Sequence, residues 1–136
     1  MSDSPHRHPV RVYYEDTDLA GIVYYANYLR FIERGRSEWV RARGVDQVAL
    51  KAERGLVFAV RKVDADYLKP AKFDNELQVT TELVSLGGAR IDLRQEVWRG
   101  ADRLFTAAVT LVCLHDGGHV ARIPPDIRAA LQPVRH

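Results

Sequence analysis

The order of predicted elements places this chain in the α+β class, with one long helix packed on an antiparallel sheet. A β-branched and aromatic segment comes first, an amphipathic helical segment follows, and the rest is strand-like and divided by glycine-containing turns. A single helix can cover one face of a sheet of this size. The sequence therefore predicts one helix on a sheet of five or six antiparallel strands.

The N-terminal third of the chain predicts a strand, a loop and the long helix. Val10–Glu15 has the composition of a strand, and the Asp, Thr and Gly residues of Asp16–Gly21 end it in a loop. Apolar residues recur at helical spacing from about residue 26 to residue 43. Gly35 lies on that apolar face, although glycine costs about 1 kcal/mol relative to alanine inside a helix. We therefore expect Gly35 to mark a close contact with the sheet.

The remaining residues predict mainly strands. Gly87 and Gly88 form a hairpin signal, and the segment that follows alternates between apolar and polar residues. The segment Leu104–Leu114 is apolar on both faces, so we expect self-association to cover part of the sheet. The expected elements are a short helix at Asp46–Glu53, strands at Leu56–Leu68, Glu76–Leu86, Arg90–Arg99, Leu104–Leu114 and His119–Ile123, and a last helical turn ending at Leu131.

Length and composition narrow the class of protein. A chain of 136 residues predicts a single domain, with residues 1–8 and 133–136 as flexible tails. The only cysteine, Cys113, excludes an intrachain disulfide and a multi-cysteine metal site. A net charge of +2 gives no indication of nucleic-acid binding. The sequence shows neither an apolar stretch of the roughly 18 residues that a membrane span needs nor a secretion signal, so we expect a cytoplasmic protein.

Three neighbouring carboxylates precede the predicted helix and are the main candidates for chemistry. Glu15, Asp16 and Asp18 suit acid–base work, and the free N–H groups of a helix start stabilise negative charge. Together they could support acyl transfer. An ordinary helix cap and turn is the structural alternative. A magnesium or calcium site is a further alternative, but the later ligands and the glycine turn of an EF-hand loop are missing. We therefore expect no metal.

The segment Val12–Arg36 resembles the signature of the 4-hydroxybenzoyl-CoA thioesterase family. It is most similar to the branch of small acyl-CoA thioesterases encoded beside the Tol–Pal cell-envelope genes. The match runs through Asp16–Tyr28 and continues in Phe58–Lys62 and Tyr67–Ala71. The resemblance implies a hotdog fold, assembly into homodimers or homotetramers, and hydrolysis of an acyl-CoA. It leaves open whether the protein docks on the inner membrane.

The resemblance also assigns roles to individual residues. It implies that Asp18 is the catalytic carboxylate, acting as a nucleophile or as a general base for water. It implies that the backbone N–H of Tyr25 is the oxyanion donor, although many members of the branch have histidine at this position. A backbone donor survives that change, whereas a tyrosine side chain, with an ordinary pKa of about 10, is a poor acid or base near neutral pH. We expect Asn27 to bind the substrate, and Asn27 and the loop Leu19–Val23 to shape the site.

Coenzyme A enters as part of the substrate, and no other cofactor is expected. Its phosphate groups favour arginine and lysine along the approach to the site. The candidates for this role are Arg61, Lys62 and Arg90, each of which could also belong to an ordinary solvated strand face. A thioester of an acyl carrier protein remains the alternative substrate.

Two other functions remain open at the level of the sequence. A hotdog hydratase or dehydratase usually needs a histidine paired with a carboxylate, and His115 is the candidate from a distant strand. A non-catalytic acyl-CoA-binding protein, or a partner protein of an envelope complex, would bind acyl-CoA without turnover.

Overall fold

A computed structural model describes residues 5–132 as one antiparallel sheet of five strands with three α-helices and one 3₁₀ turn at Tyr14–Asp16. The spatial order of the strands is β1-β3-β4-β5-β2, so β1 and β2 are the two edges. None of the helices in this part of the chain is long and apolar enough to cross a membrane. The elements are β1 (His6–Arg11), α1 (Asn27–Ala42), α2 (Gln47–Arg54), β2 (Leu56–Tyr67), β3 (Glu76–Leu86), β4 (Arg90–Arg99), β5 (Asp102–His115) and α3 (Pro125–Leu131).

The first strand begins earlier than the sequence predicts. β1 pairs with β3 over its whole length, from His6 opposite Thr81 to Arg11 opposite Glu76. The expected strand at Val10–Glu15 is therefore wrong beyond Arg11, and the expected tail over residues 1–8 is wrong for residues 6–8. An edge strand tolerates Pro9, which cannot donate a main-chain hydrogen bond. Residues 1–4 and the expected tail at 133–136 lie outside the described residues.

Helix α1 packs its apolar side on the inner face of the sheet. Phe31, Ile32, Trp39 and Val40 are all buried on this side. Gly35 lies between them, and a Cβ atom added there would overlap Cγ1 of Val79 on β3. The expectation that Gly35 marks a close contact with the sheet is confirmed.

The alternation of apolar and polar residues in β4 corresponds to the inner and outer faces of the sheet. Ile91, Leu93, Gln95 and Val97 are buried, and the residues between them are less buried. Gln95 is the polar member of this row, and its Nε2 donates to the Ile32 carbonyl at 2.8 Å and to the Thr81 hydroxyl at 2.9 Å. Since its amide is satisfied, the glutamine fits an otherwise apolar core.

The C-terminal segment differs from the expected last strand. Within residues 119–123 only Val120 forms a ladder contact, an isolated bridge to Leu114. The segment nevertheless runs back along the sheet, because the Ala121 N–H donates to the Cys113 carbonyl at 2.9 Å. Pro124 and Pro125 then end any pairing and begin α3, as expected.

Candidate active site

Asp18 occupies the first position of a short hairpin in front of α1. Thr17 pairs with Val23 in an isolated bridge, and the Asp18 N–H donates to the Ile22 carbonyl at 2.9 Å. Gly21, with φ +80°, closes the turn in a conformation that favours glycine. The exposed Asp18 carboxylate accepts one hydrogen bond, through Oδ1 from the Ala20 N–H at 2.9 Å. Its Oδ2 has no hydrogen-bond partner among residues 5–132 and is available for chemistry.

The other two carboxylates of the loop have different surroundings. Asp16 is only 8% exposed, and its Oδ2 accepts a hydrogen bond from the Tyr13 N–H at 2.9 Å. It therefore holds the preceding turn, a structural role. Glu15 is exposed at the surface of that turn. Asp18 alone among the three lies on the hairpin that leads into the helix.

The start of α1 presents free N–H groups close to this hairpin. The N–H groups of Asn27 and Tyr28 bond back to the carbonyls of Tyr24 and Tyr25, at 2.8 and 3.3 Å. For the N–H groups of Tyr25 and Ala26, the described part of the chain contains no acceptor. Unpaired donors at the positive end of a helix dipole are suited to binding an oxyanion. The structure thus leaves the predicted donor, the Tyr25 N–H, available.

Two sets of hydrogen bonds tie the hairpin to the helix start. The Asp16 carbonyl accepts both the Tyr24 N–H and Asn27 Nδ2, each at 2.9 Å. On the other strand of the hairpin, the Val23 N–H donates to the Ala71 carbonyl at 2.9 Å. The hairpin is therefore held on both sides, which fixes the Asp18 carboxylate relative to α1.

The Tyr24 side chain lies within electrostatic range of Asp18, and the Tyr25 ring lies beside that of Tyr24. The two ring centroids are 4.9 Å apart, and the Tyr25 side chain is 61% exposed. The neighbouring Tyr25 hydroxyl is the main cause that raises the pKa of the Tyr24 hydroxyl, and the negative charge of Asp18 contributes in the same direction. The Tyr24 hydroxyl is consequently neutral at physiological pH and remains a hydrogen-bond donor.

Tyr67 belongs to this site, although the sequence analysis did not assign it a role. Its ring centroid lies 6.1 Å from that of Tyr25, 5.5 Å from that of Tyr28 and 5.1 Å from that of Phe105. Tyr67 is 47% exposed, whereas Tyr28 and Phe105 are buried beneath it. Beside Asp18 the site thus has an aromatic floor with Tyr25 and Tyr67 at its surface. The available signal was the position of Tyr67 at the head of the Tyr67–Ala71 segment that resembles the family.

The predicted basic residues do not lie beside Asp18 within one protomer. Lys62 precedes Tyr67 by five residues of β2, which corresponds to about 17 Å along an extended strand. Arg61 lies at a register shift between Val60 and Lys62. Arg90 pairs with Val112, seven residues or about 24 Å along β5 from Phe105. All three basic side chains are exposed, and Arg90 forms an ion pair with Asp92 at 2.8 Å.

The turn beside Arg90 gathers two further arginines that the sequence analysis missed. Arg122 Nη1 lies 3.6 Å from the position that a Cβ atom of Gly88 would take, and Arg128 Nη2 donates to the Gly87 carbonyl. Among residues 5–132, no acceptor binds the N–H groups of Gly88 and Ala89. Arginines around free main-chain N–H groups form a surface suited to phosphate. No local pattern could reveal Arg122, because the returning C-terminal segment brings it to the turn.

His115 lies far from Asp18 within the protomer. It ends β5, ten residues beyond Phe105, which corresponds to about 34 Å along the strand. The histidine of the hydratase alternative therefore cannot pair with the Asp18 carboxylate of the same protomer. In the described part of the chain, no three His, Cys, Asp or Glu side chains are arranged to hold a metal ion.

Comparison with known proteins identifies the family. Residues 20–106 match the thioesterase superfamily model, a range that begins just after Asp18 and includes Tyr25 and Tyr67. The chain is 39% identical over 137 residues to the acyl-CoA thioesterase YbgC of Haemophilus influenzae, covering 99% of this chain and 100% of the relative. It is 41% identical over 116 residues to the acyl-CoA thioester hydrolase YbgC of Escherichia coli, covering 85% and 86%.

A solved structure supports the same assignment. The fold matches a probable thioesterase from Bartonella henselae with a TM-score of 0.86 and 37% identity, covering 89% of this chain and 100% of that one. The resemblance found in the sequence is confirmed, and so is the predicted α+β architecture. The chain belongs to the thioesterase superfamily, in its YbgC-like branch, and has the hotdog fold.

Proposed function

We propose that this enzyme hydrolyses acyl-CoA thioesters to a free acid and coenzyme A, with Asp18 and the Tyr25 N–H as its reacting groups. The observation that carries the proposal is that the hairpin of Asp18 is hydrogen-bonded to the start of α1, while Asp18 Oδ2 and the Tyr25 N–H have no partner among residues 5–132. The acyl-CoA thioesterase of Haemophilus influenzae and the acyl-CoA thioester hydrolase of Escherichia coli, to which the chain is similar, support the choice of acyl-CoA as the substrate.

The chemistry needs a donor for the developing negative charge and an activated nucleophile. The thioester carbonyl oxygen accepts a hydrogen bond from the Tyr25 N–H, which strengthens as the tetrahedral intermediate forms. Asp18 Oδ2 either attacks the carbonyl carbon or removes a proton from an attacking water.

The carbon–sulfur bond then breaks. In the general-base route the CoA thiolate takes up the proton that Asp18 removed from water. In the nucleophilic route the thiolate leaves with a proton from solvent, and water then hydrolyses the anhydride between Asp18 and the acyl group to the free acid. A single turnover in ¹⁸O-water tests for the nucleophilic route, because attack of water on the Asp18 carbonyl of the anhydride places the label in Asp18, whereas the general-base route labels only the free acid.

We further propose that the active form is a homodimer formed through β2. No described strand pairs with the outer edge of β2, and an unpaired edge favours association with another strand. The midpoint of Leu56–Tyr67 falls between Arg61 and Lys62. Antiparallel pairing of two copies about that midpoint brings Leu56 of one copy beside Tyr67 of the other. A pair of such dimers would give the homotetramer that the resemblance implies.

The dimer gives the turn at residues 87–89, with the arginines around it, a role in binding coenzyme A. In one protomer, Arg90 and Arg122 are at the end of the sheet opposite Asp18. The proposed pairing of β2 places that end of one copy next to the Asp18 end of the other. We therefore expect the phosphates of coenzyme A to bind the turn of one copy while the thioester reaches Asp18 of the second. An association with the Tol–Pal system stays a prediction of the resemblance.

Free-thiol release from short, long and aromatic acyl-CoAs, and from an acyl carrier protein thioester, tests the proposal. Wild-type protein and Glu15→Gln, which alters an exposed carboxylate of the same loop, should turn over at similar rates. Asp18→Asn keeps an oxygen for the Ala20 N–H and should lose at least about 100-fold in kcat. If the protein bound every thioester without hydrolysing it, the result would refute the enzymatic function and support a non-catalytic acyl-CoA-binding protein.

A further inference from the structure

Tyr28 links the first turn of α1 to the loop that follows β2. Its hydroxyl accepts a hydrogen bond from the Ala71 N–H at 3.0 Å. Its ring stacks on Phe105, with centroids 5.2 Å apart and planes 9° apart. The ring is held between helix and sheet, so the hydroxyl has little freedom to move.

The loop that contains Ala71 is also hydrogen-bonded to the hairpin that carries Asp18, so the fixed position of Tyr28 restricts the hairpin as well. The Ala71 carbonyl accepts the Val23 N–H at 2.9 Å, and Val23 bridges to Thr17, the residue before Asp18. Tyr28, Ala71 and Val23 are all buried, at 3%, 0% and 4% exposure. Because these groups are buried, water cannot readily replace either hydrogen bond. Breaking one of them would leave a buried polar group without a partner, which is costly.

The start of α1 therefore positions both the proposed oxyanion donor and the hairpin that carries Asp18. Tyr25 supplies the N–H for the oxyanion, and Tyr28, three residues later, anchors the strand of the hairpin that returns from Asp18. Asn27 anchors the other strand of the hairpin through Asp16. Movement of the hairpin away from the Tyr25 N–H requires one of these anchors to break.

We propose that Tyr28 is a positioning residue for thioester hydrolysis, whose hydroxyl acts through Ala71 and Val23 to set the Asp18 carboxylate relative to the Tyr25 N–H. The inference rests on the function proposed for Asp18. Because small displacements of a catalytic group reduce the rate strongly, loss of the hydroxyl should lower kcat. The substrate surface is unchanged, so KM should stay the same.

Tyr28→Phe removes the hydroxyl and keeps the aromatic stack. We expect its kcat to fall about tenfold with KM unchanged. Tyr14→Phe is the matched control, since Tyr14 is exposed, stacks on Phe73, and has no hydroxyl partner among residues 5–132. The control should have wild-type kinetics. A kcat for Tyr28→Phe equal to that of wild type would overturn the proposal.

Combination with Asp18→Asn separates positioning from general loosening of the fold. If Tyr28 acts through Asp18, Tyr28→Phe should cause no further loss in the Asp18→Asn background. A tenfold further loss there would show that Tyr28 acts in another way and would overturn the proposal.

Amide exchange gives a readout that does not depend on turnover. In Tyr28→Phe the Val23 N–H should exchange faster, while the Leu93 N–H in the core strand keeps its protection. Absence of turnover in wild type would refute the proposed function, whereas unchanged exchange at Val23 would refute the anchoring itself.

Discussion

Asn27 Nδ2 donates a 2.9 Å hydrogen bond to the main-chain carbonyl of Asp16, eleven residues earlier in the chain. The Asn27 side chain is buried, and the same carbonyl also accepts the Tyr24 N–H. One N–H of its amide is therefore occupied inside the protein. The substrate contact expected from the sequence stays a prediction, and the hydrogen bond adds a second hypothesis, in which Asn27 orients the loop that carries Asp18.

Asn27→Ala should lower kcat about tenfold and leave KM for acyl-CoA unchanged. The Asp16 carbonyl keeps its bond from Tyr24, so the free energy of unfolding should fall by only about 1 kcal/mol. Steady-state kinetics and urea denaturation measure the two effects. A raised KM with an unaltered kcat would instead support the original substrate-binding role.

Arg122→Gln should weaken binding of the nucleotide part of coenzyme A. Loss of one charge-assisted phosphate contact corresponds to a KM increase of about tenfold or more for acyl-CoA. The KM for the same acyl group on N-acetylcysteamine, which lacks phosphates, should not change. Arg94→Gln is the control, because Arg94 is exposed on β4 away from the turn. Equal effects on both substrates would exclude a phosphate contact at Arg122.

Local sequence patterns were sufficient to predict the bounds of the strands that have regular alternation and strong turns at their ends. The bounds of β3 and β4 agree with the sequence, since strong turns limit both strands and β4 alternates cleanly. The first strand was displaced because Tyr13 and Tyr14 have high strand propensity but lie beyond the edge at which β1 pairs with β3. Propensity does not report which residues find a partner in a sheet.

The site was predictable where it is continuous in sequence. Asp18 and Tyr25 lie within one motif, and the structure places them on a hairpin and a helix start that are bonded together. Tyr67 and Arg122 come to their sites through strand pairing and a returning segment, which involve contacts more than 30 residues apart. Such contacts leave no periodic trace in a single sequence.

Asp92→Asn should destabilise the protein in a pH-dependent way. Burial alone would raise the pKa of Asp92, but hydrogen bonds from its neighbours outweigh burial and hold that pKa below its ordinary value. A lowered folded-state pKa stabilises the fold above the unfolded pKa of about 3.9, and the contribution is lost as pH falls through the folded pKa. The donors are Ser85 at 2.7 Å, Arg90 at 2.8 Å and Thr110 at 3.0 Å.

Denaturation of wild type and Asp92→Asn from pH 7 to pH 2 measures this contribution. The difference in the free energy of unfolding should be constant above about pH 5 and shrink below about pH 4. Asp64→Asn, at an exposed position on β2, should follow the wild-type curve throughout. A pH-independent difference would show that packing, and not the charge of Asp92, causes the destabilisation.

Gly35→Ala should destabilise the fold, although alanine is the better helix former by about 1 kcal/mol. The added Cβ would overlap Val79 Cγ1 and lie 3.1 Å from Val79 Cβ. Val79 is fully buried in β3, between β1 and β4, and has no room to retreat. Overpacking of this kind costs about 1–3 kcal/mol, and the overlap with Val79 Cγ1 places this case in the upper part of that range, so the net loss should be about 1–2 kcal/mol.

Val79→Ala provides the test of that mechanism, because it removes the methyl group that the new Cβ would strike. The loss in the double variant should be smaller than the sum of the two single losses by about 1 kcal/mol, measured by urea denaturation. Additive losses would mean that Gly35 is required for some reason other than the approach of α1 to β3. A positive coupling would show that this approach, which sets the height of the helix above the sheet, limits the side chain at position 35.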